Sequence, residues 1–268
     1  MARHKLPFNP LVACLAALAV LFFVFPLIGL LTGAPWGHIV EVITSKTALD
    51  ALGLSLVASL SSTVIALVLG FPLAWMLARG RFRGKGLLRG LTTLPMVLPP
   101  VVGGIALLLA FGRRGIIGEP LFEATGVSLP FTTAGVVVAE SFVAMPFFVL
   151  TVESGLRSMN LRLEDAARSL GASRAMVFRR VTLPLIWPSL VLGTVLTWAR
   201  ALGEFGATIT FAGNLPGVTQ TMPLAIYSAF NGAGVSQGTA VALSLLLVVA
   251  AVAVLLAARA WRPGRTAA

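Results

Sequence analysis

From Leu11 to Thr32 the chain runs for 22 residues without a charged side chain. At about 1.5 Å of rise per helical residue that is enough to cross a hydrocarbon layer of roughly 30 Å. Five more apolar runs follow, Ala51 to Ala78, Leu91 to Gly112, Phe131 to Val152, Leu185 to Phe211 and Thr239 to Ala258. Backbone inside a bilayer has no water to bond, so each run must satisfy its own N–H and C=O groups as a helix. The expectation is an all-α integral membrane protein with six transmembrane helices. Composition excludes a soluble domain: 57% of the residues are apolar and 11% charged, against a usual charged share of about 25%. The first run has Arg3 and Lys5 ahead of it and no small-residue cleavage site behind it, which reads as a retained helix and not a signal peptide.

The formal charge of +11 could point to nucleic acid, but the basic residues stand in short clusters between the apolar runs. Arg3 and Lys5, then Arg79, Arg81, Arg83, Lys85 and Arg89, then Arg157, Arg162, Arg168, Arg174, Arg179 and Arg180, then Arg259, Arg262 and Arg265 all fall on one side of a six-span chain. The other side holds Lys46, Arg113 and Arg114, and Arg200 lies within the fifth run. The positive-inside rule then makes both termini cytoplasmic in a multi-pass protein of the cytoplasmic (inner) membrane, with lipid and not nucleic acid as its surroundings. The single cysteine, Cys14, sits inside an apolar run and excludes an intrachain disulfide or a cysteine metal site. His4 and His38 lack partner carboxylates at metal-ligand spacing, so no metal or cofactor is expected in this chain. Pro72 should kink the second run, while Pro95, Pro99 and Pro100 leave carbonyls unpaired near the start of the third and place that helix inside the bundle.

Between the fourth and fifth runs lies a charged amphipathic island, LRLEDAARSLGASRAMVFRRVTLP, residues 161 to 184. Leu163, Ala166, Ala167 and Leu170 recur at helical spacing, and Glu164 precedes Arg168 by four residues, the favourable order for a side-chain pair. The pattern predicts a short helix over Arg162 to Leu170. Gly171 can end it with a left-handed backbone, and Ser173 can cap a second turn carrying Arg174, Val177 and Phe178.

This island resembles the "EAA" signature of the membrane subunits of ABC importers, through Glu164, Ala166, Ala167, Gly171, Leu183 and Pro184. Asp165 intervenes between Glu164 and the alanines; with Asp165 as the acidic member, the spelling Asp165-Ala166-Ala167 keeps the spacing to Gly171. The resemblance implies a coupling helix that docks in a cleft of the ATPase subunit, with Arg174 and Phe178 in its second half. The alternative is an ordinary amphipathic loop helix lying on the lipid surface. No phosphate-binding loop is present: near Gly84-Lys85, Arg79 replaces the earlier glycine and Gly86 stands where Ser or Thr would hold magnesium. ATP and magnesium therefore belong to a separate subunit.

The fifth run carries WARALGEFGATITFAGN, residues 198 to 214. A charge at the bilayer centre costs roughly 2.5 to 3.5 kcal/mol, so Arg200 and Glu204, four residues apart and of opposite sign, should pair or face a cavity. Two readings stay open, a self-neutralising pair that pins this helix or a lining for a translocation path. Gly203 and Gly206 would permit close helix contact, and Thr208, Thr210 and Asn214 offer hydroxyl and amide groups toward the outer side. Glu140 in the fourth run either hydrogen-bonds a Thr or Ser of a neighbouring helix or faces the cavity, and the structural role is the favoured one.

The segment Ala199 to Ala207, followed by Ile209-Thr210-Phe211 and Gly213-Asn214, resembles molybdate-transport permeases. The likeness implies a type I ABC importer permease fold: a segment 1–47 with the first helix, a transmembrane domain over 48–258, and a basic tail over 259–268. It also implies a homodimer with the path on its two-fold axis, two copies of a cytoplasmic ABC ATPase and an extracytoplasmic oxyanion-binding protein. Sulfate, thiosulfate or tungstate permeases are the nearest alternative. An ion-coupled secondary transporter would need matched repeats with broken helices, which residues 1–130 and 131–268 do not display, and a membrane enzyme lacks its catalytic cluster.

Overall fold

The computed structural model describes residues 10–232 and 237–260; Arg3, Lys5, Arg262, Arg265 and the side chain of Arg259, and with them most of the expected basic tail, lie outside the described residues. The described residues form helices and no strand: α1 Pro10–Thr32, α2 Ile39–Ile43, α3 Lys46–Arg79, α4 Lys85–Val97, α5 Pro100–Phe111, α6 Gly118–Thr125, α7 Thr133–Ser158, α8 Arg162–Ser169, α9 Arg174–Val177, α10 Leu183–Leu202, α11 Gly206–Phe211, α12 Met222–Asn231 and α13 Gln237–Ala260. A π-helical turn, Phe178–Thr182, joins α9 to α10. Five helical stretches are long and apolar enough to cross a membrane, and α4 with α5 makes a sixth if that bent pair is counted as one span.

The bundle is built on α3, α7 and α10. On α3 the buried positions Ala48, Ala51, Ser55, Ala58, Ser62, Ala66, Gly70 and Ala74 recur every three or four residues, a stripe of small side chains along one face. Lipid tails are as apolar as leucine, so helices in a bilayer associate through close packing, which small residues permit. Phe148 of α7 fills the space left by Gly70: a Cβ there would lie 2.9 Å from its ring. Gly155 of α7 admits Ser189 of α10, and Gly193 of α10 abuts Phe148 and Thr151. Phe148, Val149, Val152, Leu156, Leu77 and Ile186 close the resulting core.

Two of the expected spans are interrupted. The third is not continuous: α4 and α5 meet at 119°. Leu98 and Pro99 are both extended, with ψ of 136° and 132°, because each precedes a proline whose ring disfavours helical backbone before it. Pro100 then starts α5 at a position where its missing N–H costs nothing. α4, which holds Pro95, buries none of its residues within this chain, so only α5, through Gly103, Gly104 and Leu107, lies inside the bundle as expected. The fifth span ends at Leu202 and resumes as α11.

The segments between spans also hold more structure than their polar composition indicated. α3 begins at Lys46, inside the expected outer loop, and at about 1.5 Å per residue its 34 residues reach about 50 Å, longer than a hydrocarbon layer of roughly 30 Å. α12 packs Met222 and Ala225 against Ala48 and Ala51 of α3 and Leu243 of α13, and the Met222 N–H donates to Ser55 Oγ at 2.7 Å. Some of the basic residues that set the charge bias also hold helices together. Arg89 of α4 and Arg157 of α7 converge on the buried Glu153, Arg157 Nε at 3.0 Å, and Arg157 Nη2 donates to the Leu77 carbonyl at 3.3 Å.

Candidate functional site

The island folds as helix, turn, helix. Glu164 and Asp165 occupy the first turn of α8 and Arg168 its last, each sign matched to the helix dipole. Gly171 takes φ of 85°, and the N–H groups of Gly171 and Ala172 donate to the carbonyls of Arg168 and Ala167 at 2.9 and 3.1 Å, the Schellman closure of a helix C-terminus. Ser173 Oγ accepts from the Met176 N–H at 3.3 Å and so caps α9. The turn Phe178–Thr182 is wound wide just ahead of Pro184, whose ring crowds the carbonyl four residues back and which has no N–H to offer it. Leu183 is half-buried and Pro184 exposed in the first turn of α10.

The two acidic residues of α8 point opposite ways. Asp165 keeps 70% of its side chain exposed, with Arg168 Nη1 at 3.5 Å. Glu164 keeps 8% and turns inward. Its Oε1 accepts from Arg79 Nη2 at 2.9 Å and from Thr182 Oγ1 at 2.7 Å, and its Oε2 from Arg79 Nη1 at 3.4 Å. Arg168 Nη2 stands 3.6 Å from Oε2, the pair that the spacing predicted, here subordinate to the contact with α3. The outward face carries Asp165, Ala166 and Arg174, with Leu163, Leu170 and Met176 as exposed apolar side chains beside them. Phe178 faces the other way, edge-on to Phe71 and Trp75 of α3.

At the other end of α10 the helix stops at Gly203, and Glu204 performs two tasks. Its Oε1 accepts the Ala207 N–H at 2.8 Å, which starts α11, and its Oε2 pairs with Arg200 Nη2 at 2.6 Å. Glu204 is 1% exposed, whereas Arg200 keeps 27% of its side chain accessible. Gly206 admits Pro100 of α5, since a Cβ there would lie 2.6 Å from the Pro100 Cβ; Gly203, by contrast, has only its own helix nearby. Gly104 of α5 returns the contact against Thr210.

The outer hydroxyl and amide candidates are dispersed. Thr208 is fully buried and its Oγ1 has no hydrogen-bond partner among the described residues. Thr210 Oγ1 donates to the Gly206 carbonyl at 2.9 Å. Asn214 is engaged on both sides, Nδ2 donating to Ser228 Oγ at 2.8 Å and Oδ1 accepting from Gln220 Nε2 at 3.0 Å. Glu140 lies buried in α7 with Oε2 lacking a donor among the described residues.

Residues 66–264 match the family described as Binding-protein-dependent transport system inner membrane component. Similar curated proteins include the molybdenum transport system permease protein ModB of Mycobacterium tuberculosis, 47% identical over 92% of both chains. The protein of the same name from Escherichia coli K12 is 45% identical, over 71% of this chain and 83% of that one. A probable molybdenum ABC transporter permease of Haloferax volcanii is 38% identical over 87% and 83%. Among solved structures, a bacterial ABC transporter involved in the import of the acidic polysaccharide alginate superposes with a TM-score of 0.74 at 20% identity, over 93% of both chains. The MetNI methionine ABC transporter gives 0.57 at 18%, over 79% of this chain and 90% of that one, and both likenesses concern the fold.

Proposed function

Because the chain belongs to the binding-protein-dependent transport system inner membrane components, we propose that it is the permease subunit of an ATP-driven importer that carries molybdate across the cytoplasmic membrane. One observation carries the substrate: the molybdenum permeases match at 45 to 47% identity over most of the chain. The chain has no phosphate-binding loop, so ATP and magnesium act in a separate ATPase that docks on the α8–α9 pair. The outward Asp165, Ala166 and Arg174 and the exposed Leu163, Leu170 and Met176 support that surface, since apolar side chains grouped on a polar face mark protein contacts. Two copies of this chain enclose the path, two ATPase copies drive it, and an extracytoplasmic binding protein delivers the anion; both termini lie in the cytoplasm.

The permease has only a weak hold on a dianion. Arg200 is the one cation in the run Leu185 to Phe211 and is already bound to Glu204, so it is not free to clamp an oxyanion. Discrimination therefore rests on the binding protein, and molybdate and tungstate, of nearly equal size, cross at comparable rates. Uptake of labelled anions into vesicles bearing the complete complex tests this. Sulfate carried as well as molybdate would transfer the chain to the sulfate permeases.

A further inference from the structure

Glu164 resembles a docking residue in sequence and occupies a different place in the structure. With the ATPase-docking role of α8 taken from the reading above, we infer that Glu164 is a positioning residue that locks the docking helix to two membrane helices at once.

α8 spans Arg162–Ser169, too short to hold its own helical form, and it is joined to the bundle in sequence only by the turns on either side. Its carboxylate supplies the cross-links. Oε1 binds Arg79, the last residue of α3, and Thr182, the last residue before α10, at 2.9 and 2.7 Å. Arg79 is itself fixed, its guanidinium carbon 5.7 Å from the Trp75 ring, and Trp75 meets Phe178 of the π turn at 5.6 Å. Two ties therefore join α3 to the foot of α10, an aromatic one through Trp75 and Phe178 and a polar one through Glu164. α8 takes part only in the polar tie. A buried carboxylate held by a guanidinium and a hydroxyl is a stiff link, because breaking it gives up charge-assisted hydrogen bonds at a largely desolvated group and leaves it only the longer, half-exposed contact with Arg168 at 3.6 Å. A push on α8 from outside is then delivered to α3 and α10 together, and the aromatic tie keeps those two in register while it acts.

Glu164→Gln removes the charge and keeps an acceptor for Thr182; Thr182→Val removes the hydroxyl alone; Arg79→Gln removes the guanidinium. The three variants, with Asp165→Asn for comparison, are to be purified as complete complexes and reconstituted with loaded binding protein. The measurements are the amount of ATPase retained and the ATP hydrolysed per molybdate moved. Glu164→Gln, Thr182→Val and Arg79→Gln are expected to retain the ATPase at the wild-type ratio, while ATP spent per anion rises about fivefold or more, the scale of a coupling loss of 1 kcal/mol. Asp165→Asn is expected to reduce the retained ATPase. A Glu164→Gln complex that has shed its ATPase would make Glu164 a docking contact and overturn the latch, as would an unchanged ratio of ATP to anion in the three variants. If the unmodified chain retains no ATPase, the docking reading itself fails, and the two failures are thus separable.

Discussion

Glu204 is held in two ways at once, as cap for α11 and as partner to Arg200, and that double use decides how substitutions there act. Glu204→Ala removes a cap, a loss of about 1 kcal/mol, and leaves Arg200 without its carboxylate in the last turn of α10. Glu204→Gln keeps an acceptor for the Ala207 N–H and loses the charge. Arg200→Gln leaves a buried carboxylate with no cation. Each single substitution should therefore lower the thermal midpoint of the purified complex, and the double Gln variant should lower it by less than the two singles combined, with an interaction energy of about 0.5 to 3 kcal/mol. Simple additivity of the three midpoints would detach Arg200 from Glu204 and return it to the path. The geometry favours the pinning role: the pair closes the break between α10 and α11, and a carboxylate committed to a backbone N–H is not free to move with a passing anion.

Among elements, the crossing of α5 with α11 depends on the absence of side chains. A Cβ on Gly104 would lie 2.6 Å from the Thr210 Cβ and 2.9 Å from the Ala207 carbonyl oxygen, neither a flexible tip that can swing away. Gly104→Ala should destabilise the complex by about 1 to 3 kcal/mol through overpacking. Gly53→Ala, past the second turn of α3 with nothing within 4 Å of the added carbon, should be neutral or mildly stabilising, because alanine is the better helix former. Thermal unfolding followed by fluorescence compares the two, and equal effects would remove the close approach as the cause. The apolar runs and the charge bias between them made the membrane helices legible, and the island's Gly171 and Ser173 made its two caps legible, since these signals are local. The breaks were partly so: Pro99-Pro100 is visible in the sequence, but the 119° bend goes with a packing of α5 against α11 at Gly104 and Gly206, residues far apart in the chain. The inward turn of Glu164 was not legible, because its partner Arg79 is 85 residues away and read as one of a topological cluster. α12 was missed because its short apolar stretch is buried by α3 and α13 and not by lipid.

For the whole molecule, the arrangement of charge predicts an orientation that a labelling experiment can check. Residues 79 to 89 and 157 to 180 carry the basic clusters and the helix pair α8–α9, whereas the loops that follow α5 and α11 hold few cations. With the bent pair counted as a crossing, these two sets are expected on opposite faces of the bilayer, and the bias of lysine and arginine predicts the cytoplasm for the first. In a Cys14→Ser background, single cysteines at Ile116 and Leu215, both exposed in the outer loops, should react with a membrane-impermeant maleimide on intact cells. Ser169→Cys, exposed at the end of α8, should react only after the membrane is opened. The same three sites report on the importer cycle, because binding of the ATPase over α8 should shield Ser169→Cys in opened membranes and leave Ile116→Cys and Leu215→Cys unaffected. Labelling of Ser169→Cys on intact cells would invert the topology and, with it, the side from which an ATPase could reach the helix pair; protection of Ile116→Cys by the ATPase would place that subunit on the wrong face. Reaction at the two outer sites with shielding at the third would join the charge bias, the broken spans and the docking helix in a single orientation.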